Sequence, residues 1–158
     1  MSLTILNLRG SYNMADNLII TRLWQDIEFF QIEIECKTEL IAVRGKVYTT
    51  DDLIDDLCNK IEAFLSGHMD ATCWQNGTRG DTTTPCTALR FSRKDELGHV
   101  LIEVFMEIDD GGALSTHNCC FYINTEVGLL YQFKENLPKL KAPQLGIRVS
   151  LTNTEDSN

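Results

Sequence analysis

The sequence lacks most of the signals that assign a function outright. No stretch approaches the roughly 20 consecutive apolar residues of a membrane-spanning helix. Its opening, MSLTILNLRGSYNM, has no basic segment ahead of a long apolar one. A membrane partner is therefore not expected, and the cytoplasm is the expected location. Neither G-x-x-x-x-G-K nor G-x-G-x-x-G occurs, so no loop is built to cradle phosphates. The G-x-S-x-G elbow and the H-E-x-x-H helix are missing too. No cofactor is implied.

Histidine is scarce: His68, His99 and His117 stand alone, none at helical spacing from another. The six cysteines (Cys36, Cys58, Cys73, Cys86, Cys119 and Cys120) include no C-x-x-C pair. A structural zinc site wants about four ligands in close pairs, so no metal site is expected, and the cysteines read as reduced thiols. Basic charge is short as well, with 14 Lys and Arg against 23 Asp and Glu and a net charge of −9. Phosphate backbones require clustered cations, so nucleic acid is not an expected partner. A basic protein partner is compatible with this balance.

What remains is an ordinary globular composition over 158 residues, 43% of them hydrophobic. A chain of that size buries roughly 70% of the surface its unfolded form exposes, enough for one core without staples. The reading is a single α+β domain over residues 1–150, followed by a tail at 151–158.

Alternation marks the strands. In IEFFQIEIEC (27–36), Phe30, Ile32 and Ile34 share one face while Gln31, Glu33 and Glu35 share the other. LIAVRGKVYT (40–49) follows after a short polar turn, which predicts a hairpin. NLIITRLW (17–24) and LTILNLR (3–9) are further strand candidates. CTALRFSR (86–93), HVLIEVFMEI (99–108) and ALSTHNCCFYI (113–123) form a second run, joined by the turn signals KDELG and DDGG. GIRVSL near the end reads as a last edge strand.

TTDDLIDDLCNKIEAFLSG (49–67) carries the clearest helix. Thr50 is placed to cap it, Asp51 and Asp52 suit its positive end, and Gly67 ends it. Leu53, Leu57, Ile61, Phe64 and Leu65 form an apolar stripe, with acids at 51, 52, 55, 56 and 62 on the opposite side. Thr125 is placed to cap a second, shorter helix that carries Leu129, Leu130, Phe133 and Leu137 and is limited by Pro138. The expected fold is α+β: an antiparallel sheet of about five to seven strands with two helices packed on one face.

STHNCCFYIN (115–124) is the most chemically suggestive segment. On a strand, Cys119 and Cys120 point to opposite faces, which separates them as metal ligands. His117 and Cys119 would share a face, and Glu103 lies on a neighbouring strand; these three are the candidate lining of any pocket. NGT (76–78) and RGD (79–81) match short motifs by chance. The segment 76–85 is a candidate recognition loop, whereas Trp24 and Trp74 read as packing residues.

The order FFQIEIE, VRGKVYTTDDLIDDLCNKIEAFLSG, LRF, GHVLIEVFMEI, CCFYINTEVGLLYQFKENLPKL resembles a broad group of small bacterial proteins of unknown function over residues 27–140. Some of that group accompany toxin systems as candidate immunity proteins. The resemblance lies in packing patterns; it implies an interaction role and transfers no active-site residue. The sequence thus favours a non-enzymatic protein-interaction module, with an immunity-like inhibitor as its most concrete form. Its expected contact surface is acidic: Asp51, Asp52, Asp55 and Asp56 with the sheet glutamates. Two alternatives stay open, a small-ligand protein or enzyme with a pocket between sheet and helix, and a self-associating structural protein that forms a homodimer.

Overall fold

In the computed structural model residues 15–112 and 117–152 are described, and they form eight strands, two α-helices and one 3-10 helix. β1 (Asn17–Gln25), β2 (Phe30–Lys37) and β3 (Ala42–Thr49) make an antiparallel meander, and β8 (Arg148–Ser150) joins the other side of β1. β4 (Ala71–Asn76), β5 (Thr87–Arg93), β6 (His99–Glu107) and β7 (Asn118–Glu126) make a second four-stranded meander. The strand expected over 3–9, part of the one expected over 113–123 and most of the tail lie outside the described residues.

The α+β class, the antiparallel pairing and the two helices agree with the sequence, but the strands divide into two sheets of four. The division follows from α1 (Asp51–Leu65), which separates β3 from β4. Trp74 of β4 is fully buried and donates its indole N–H to the Leu53 carbonyl of α1 at 2.9 Å. Between the sheets, Asn76 donates its side-chain amide to the Tyr48 carbonyl of edge strand β3 at 2.8 Å. A side chain therefore satisfies an edge carbonyl that a ladder would otherwise claim.

Each sheet buries the face that alternation assigns. Leu18, Ile20, Ile32, Ile34, Cys36 and Val47 of the first share one core with Trp74, Leu89, Phe91, Ile102, Val104 and Ile123 of the second. Each fully buried Leu, Ile or Phe side chain contributes about 1.5–3 kcal/mol. A Cβ placed on Gly45 of β3 would lie 3.4 Å from Met106 Sδ of β6, so a larger residue there would press on the second sheet.

Helix α1 begins where Thr50 Oγ1 accepts from Leu53 N at 3.3 Å. Its buried stripe is Ile54, Leu57, Ile61 and Phe64; Leu53 and Leu65 lie at the stripe's margin, so the stripe is turned toward Ile54 from where the sequence set it. α2 (Val127–Asn136) corrects the cap expectation. Thr125 is a buried residue of β7, and the cap position falls on Glu126, whose side chain makes no capping bond. Pro138 sits at the start of the 3-10 helix Leu137–Lys141. Among the described residues no helix is long and apolar enough to cross a membrane.

Candidate interaction surface

The expected sites separate. His117 precedes β7, is exposed, and pairs through Nδ1 with Asp110 of the β6–β7 turn. Cys119 faces inward against the core, where burial raises its thiol pKa. Glu103 lies on the opposite face of its sheet, flanked by Arg90 on β5 and Tyr122 on β7. Tyr122 is held above its ordinary pKa, chiefly by the charge of Glu103. The structure does not bring these three residues together. Among the described residues no three His, Cys, Asp or Glu side chains gather as a metal site.

The sheet glutamates do not cluster either, since Glu33 and Glu35 belong to one sheet and Glu103 and Glu107 to the other. Glu33 stands directly across from Lys46, and Glu35 meets Lys37 at 2.8 Å and Arg44 at 3.8 Å. Glu107 is buried and accepts from Cys86 N at 2.9 Å. In the 76–85 segment, Arg79 lies 3.5 Å over the Phe105 ring and Asp81 accepts from Thr83, so the charged residues of RGD have internal partners.

The four helix aspartates divide into two roles. Asp55 binds Lys141 at 2.7 Å and Asp56 binds Lys60 at 3.0 Å. Asp51 and Asp52, both exposed, make no ion pair among the described residues. They line an open cleft of about 450 Å³, with Asp26, Glu28 and Phe29 of the β1–β2 turn, Lys141 and Pro143 as further walls. Arg22 closes its floor: nearly buried, it lies 4.0 Å over the Phe30 ring and donates to the Leu140 carbonyl at 2.7 Å and to Gln25 Oε1 at 3.0 Å. Four carboxylates thus face two cations, and Lys141 is already engaged by Asp55.

Beside the cleft stands an aromatic cluster that the sequence did not reveal. The β1–β2 register slips by one residue between Arg22 and Trp24, which moves Trp24 from the inner to the outer face of its sheet. Such slips re-aim a side chain. Trp24 then packs against Phe29 at 6.2 Å between ring centroids, and Phe29 against Tyr48 at 5.3 Å. These rings stay 45%, 38% and 45% exposed, and Ile27 at the turn tip is 98% exposed. Comparison with protein-family models, with curated proteins and with solved structures returns no match.

Proposed function

We propose that the chain is a non-enzymatic protein-interaction module that meets a basic partner at the end formed by the β1–β2 turn, Tyr48 and the first turn of α1. An immunity-like inhibitor is the most concrete form of that role. One observation carries the reading: Trp24, Phe29 and Tyr48 remain exposed as a packed cluster, and Phe29 also lines the cleft of Asp26, Glu28, Asp51 and Asp52. Exposed aromatics at the centre of a contact and charges around its rim are the usual division between affinity and steering.

The sheet glutamates drop out of the surface because Glu33, Glu35 and Glu103 lie beside basic residues and Glu107 is buried against the Cys86 amide, and Asp55 and Asp56 contribute less because each already holds a lysine. The test is an affinity pull-down from source cells with the natural chain and with Asp51→Lys/Asp52→Lys. A basic protein should be retained by the first and lost from the second, with Asp55→Lys/Asp56→Lys weaker in effect. Equal retention by all three chains would overturn the reading.

A further inference from the structure

The aromatic cluster and its acidic border specify more than a basic partner in general. We propose that this surface docks a short exposed segment of the partner that carries an arginine, whose guanidinium enters the cleft against Phe29 while apolar neighbours cover Trp24 and Tyr48. The proposal rests on the interaction-module reading and deepens it.

Charge complementarity chooses the occupant. Asp26 and Glu28 approach from the turn, and Asp51 and Asp52 from the helix. The positive end of α1 is equivalent to roughly half a charge, which two full carboxylates outweigh. Lys46 and Arg44 share the outer sheet face with Tyr48, but Glu33 stands opposite the first and Glu35 opposite the second. Within the cleft four carboxylates face Arg22 and a Lys141 already held by Asp55, so the site keeps a net negative charge, and an anionic group would be repelled.

A second copy of the chain fits poorly. A two-fold contact places the same patch against itself, so these acids would meet their own copies. A cationic segment has no such conflict. Arginine suits the site better than lysine because its flat guanidinium stacks on aromatic rings and donates in a fork to carboxylates. The molecule itself stacks guanidinium groups on rings, with Arg22 over Phe30 at 4.0 Å and Arg79 over Phe105 at 3.5 Å. In the cleft, Phe29 supplies the ring and the acids supply the acceptors.

Trp24 is a built-in reporter, since the other tryptophan, Trp74, is fully buried and bonded. The full chain is titrated with a tryptophan-free, end-blocked peptide bearing one arginine between aliphatic residues, and with its lysine and glutamate counterparts. Emission is read at about 0.01 M and about 0.15 M salt, where charges are screened beyond roughly 30 and 8 Å, and backbone amide shifts locate the contact. The arginine peptide should change Trp24 emission and shift amides at 24–29, 48 and 50–52. It should bind more tightly than the lysine peptide, and weaken several-fold at the higher salt. Binding should also fall with Asp51→Asn/Asp52→Asn and with the turn variant Phe29→Ala, each confirmed folded by circular dichroism.

Equal binding of the arginine and glutamate peptides overturns the proposal, as does no binding of either or shifts confined to another surface. If the peptide fails while the pull-down still depends on Asp51 and Asp52, the arginine inference falls and the module reading stands. If the pull-down is indifferent to those residues, the module reading falls.

Discussion

Cys36 sits fully buried on the inner face of β2, and burial, reinforced by Cys119 and Glu35, pushes its thiol up to about 12. Burial also raises Cys58, Cys86 and Cys119, with Asp55 adding to the first and Glu107 to the second. Cys73 and Cys120 are exposed. Because the thiolate is the reactive form, an aromatic disulfide reagent at mildly alkaline pH should modify Cys73 and Cys120 first. The other four thiols should react slowly until urea opens the core. Cys73→Ser/Cys120→Ser should abolish the fast phase, and a fast phase that persists would contradict the assigned faces. Alternation alone separates Cys119 from Cys120, so that part of the site was legible from spacing. Trp24 was not legible, because the slip that exposes it occurs in a plain run, TRLWQ, with no glycine or proline to mark it. His117 was not legible because the strand period in the sequence runs through it, whereas β7 begins at Asn118.

The two helices start differently, and their caps yield opposite expectations. Thr50 has extended backbone and accepts from Leu53 N, so Thr50→Ala should cost about 1 kcal/mol. For a domain of this size that lowers the melting temperature by roughly 2–4 °C. Glu126 also has extended backbone, with φ −138° and ψ 159°, but supplies no side-chain bond to α2. Glu126→Ser should therefore raise stability by about 0.5–1 kcal/mol, since a serine there reaches the orphan amides of the first turn. Thermal unfolding of both variants checks the pair, and a loss of stability in Glu126→Ser would show that its pairing with His99 across β6–β7 matters more than the cap. The first helix was legible because cap, acids, stripe and glycine stop agree. The second start was not, because Thr125 followed by Glu126 looks like a cap from sequence while alternation carries β7 through both residues.

At the scale of the whole molecule, the division into two sheets was hidden because alternation tells which face a residue occupies and not which strand lies beside it. Short turns implied the hairpins, but the passage through α1 left the partner of β4 open. The same helix decides how the excess negative charge is used. Glu62 and Asp55 tie α1 to Lys134 of α2 and Lys141 after it, while Asp51 and Asp52 are left at the cleft. These ties give the stability a defined pH shape. Lys134 is raised, chiefly by Glu135 and then Glu62, and Lys141 is raised by Asp55. A raised folded pKa means that the folded chain holds the proton more tightly. The contribution is thus complete below the ordinary lysine value of 10.5 and lost as pH climbs through the folded values. Asp81, Asp95 and Asp110 move the other way, lowered chiefly by the Thr83 hydroxyl, the His99 imidazole and the Gly112 amide. Their contribution is complete above the ordinary 3.8 and lost as pH falls through the folded values. The urea midpoint should therefore stay nearly flat between the ordinary carboxylate value of 3.8 and the ordinary thiol value of 9.0, and decline on both sides, on the alkaline side first through the raised Cys36, Cys58, Cys86 and Cys119 and then through the lysines. Glu62→Gln should flatten only the alkaline decline, because it removes one partner of Lys134 and touches none of the three aspartates. A Glu62→Gln profile that changed equally on the acid side would show that the helix tie and the turn aspartates do not act independently.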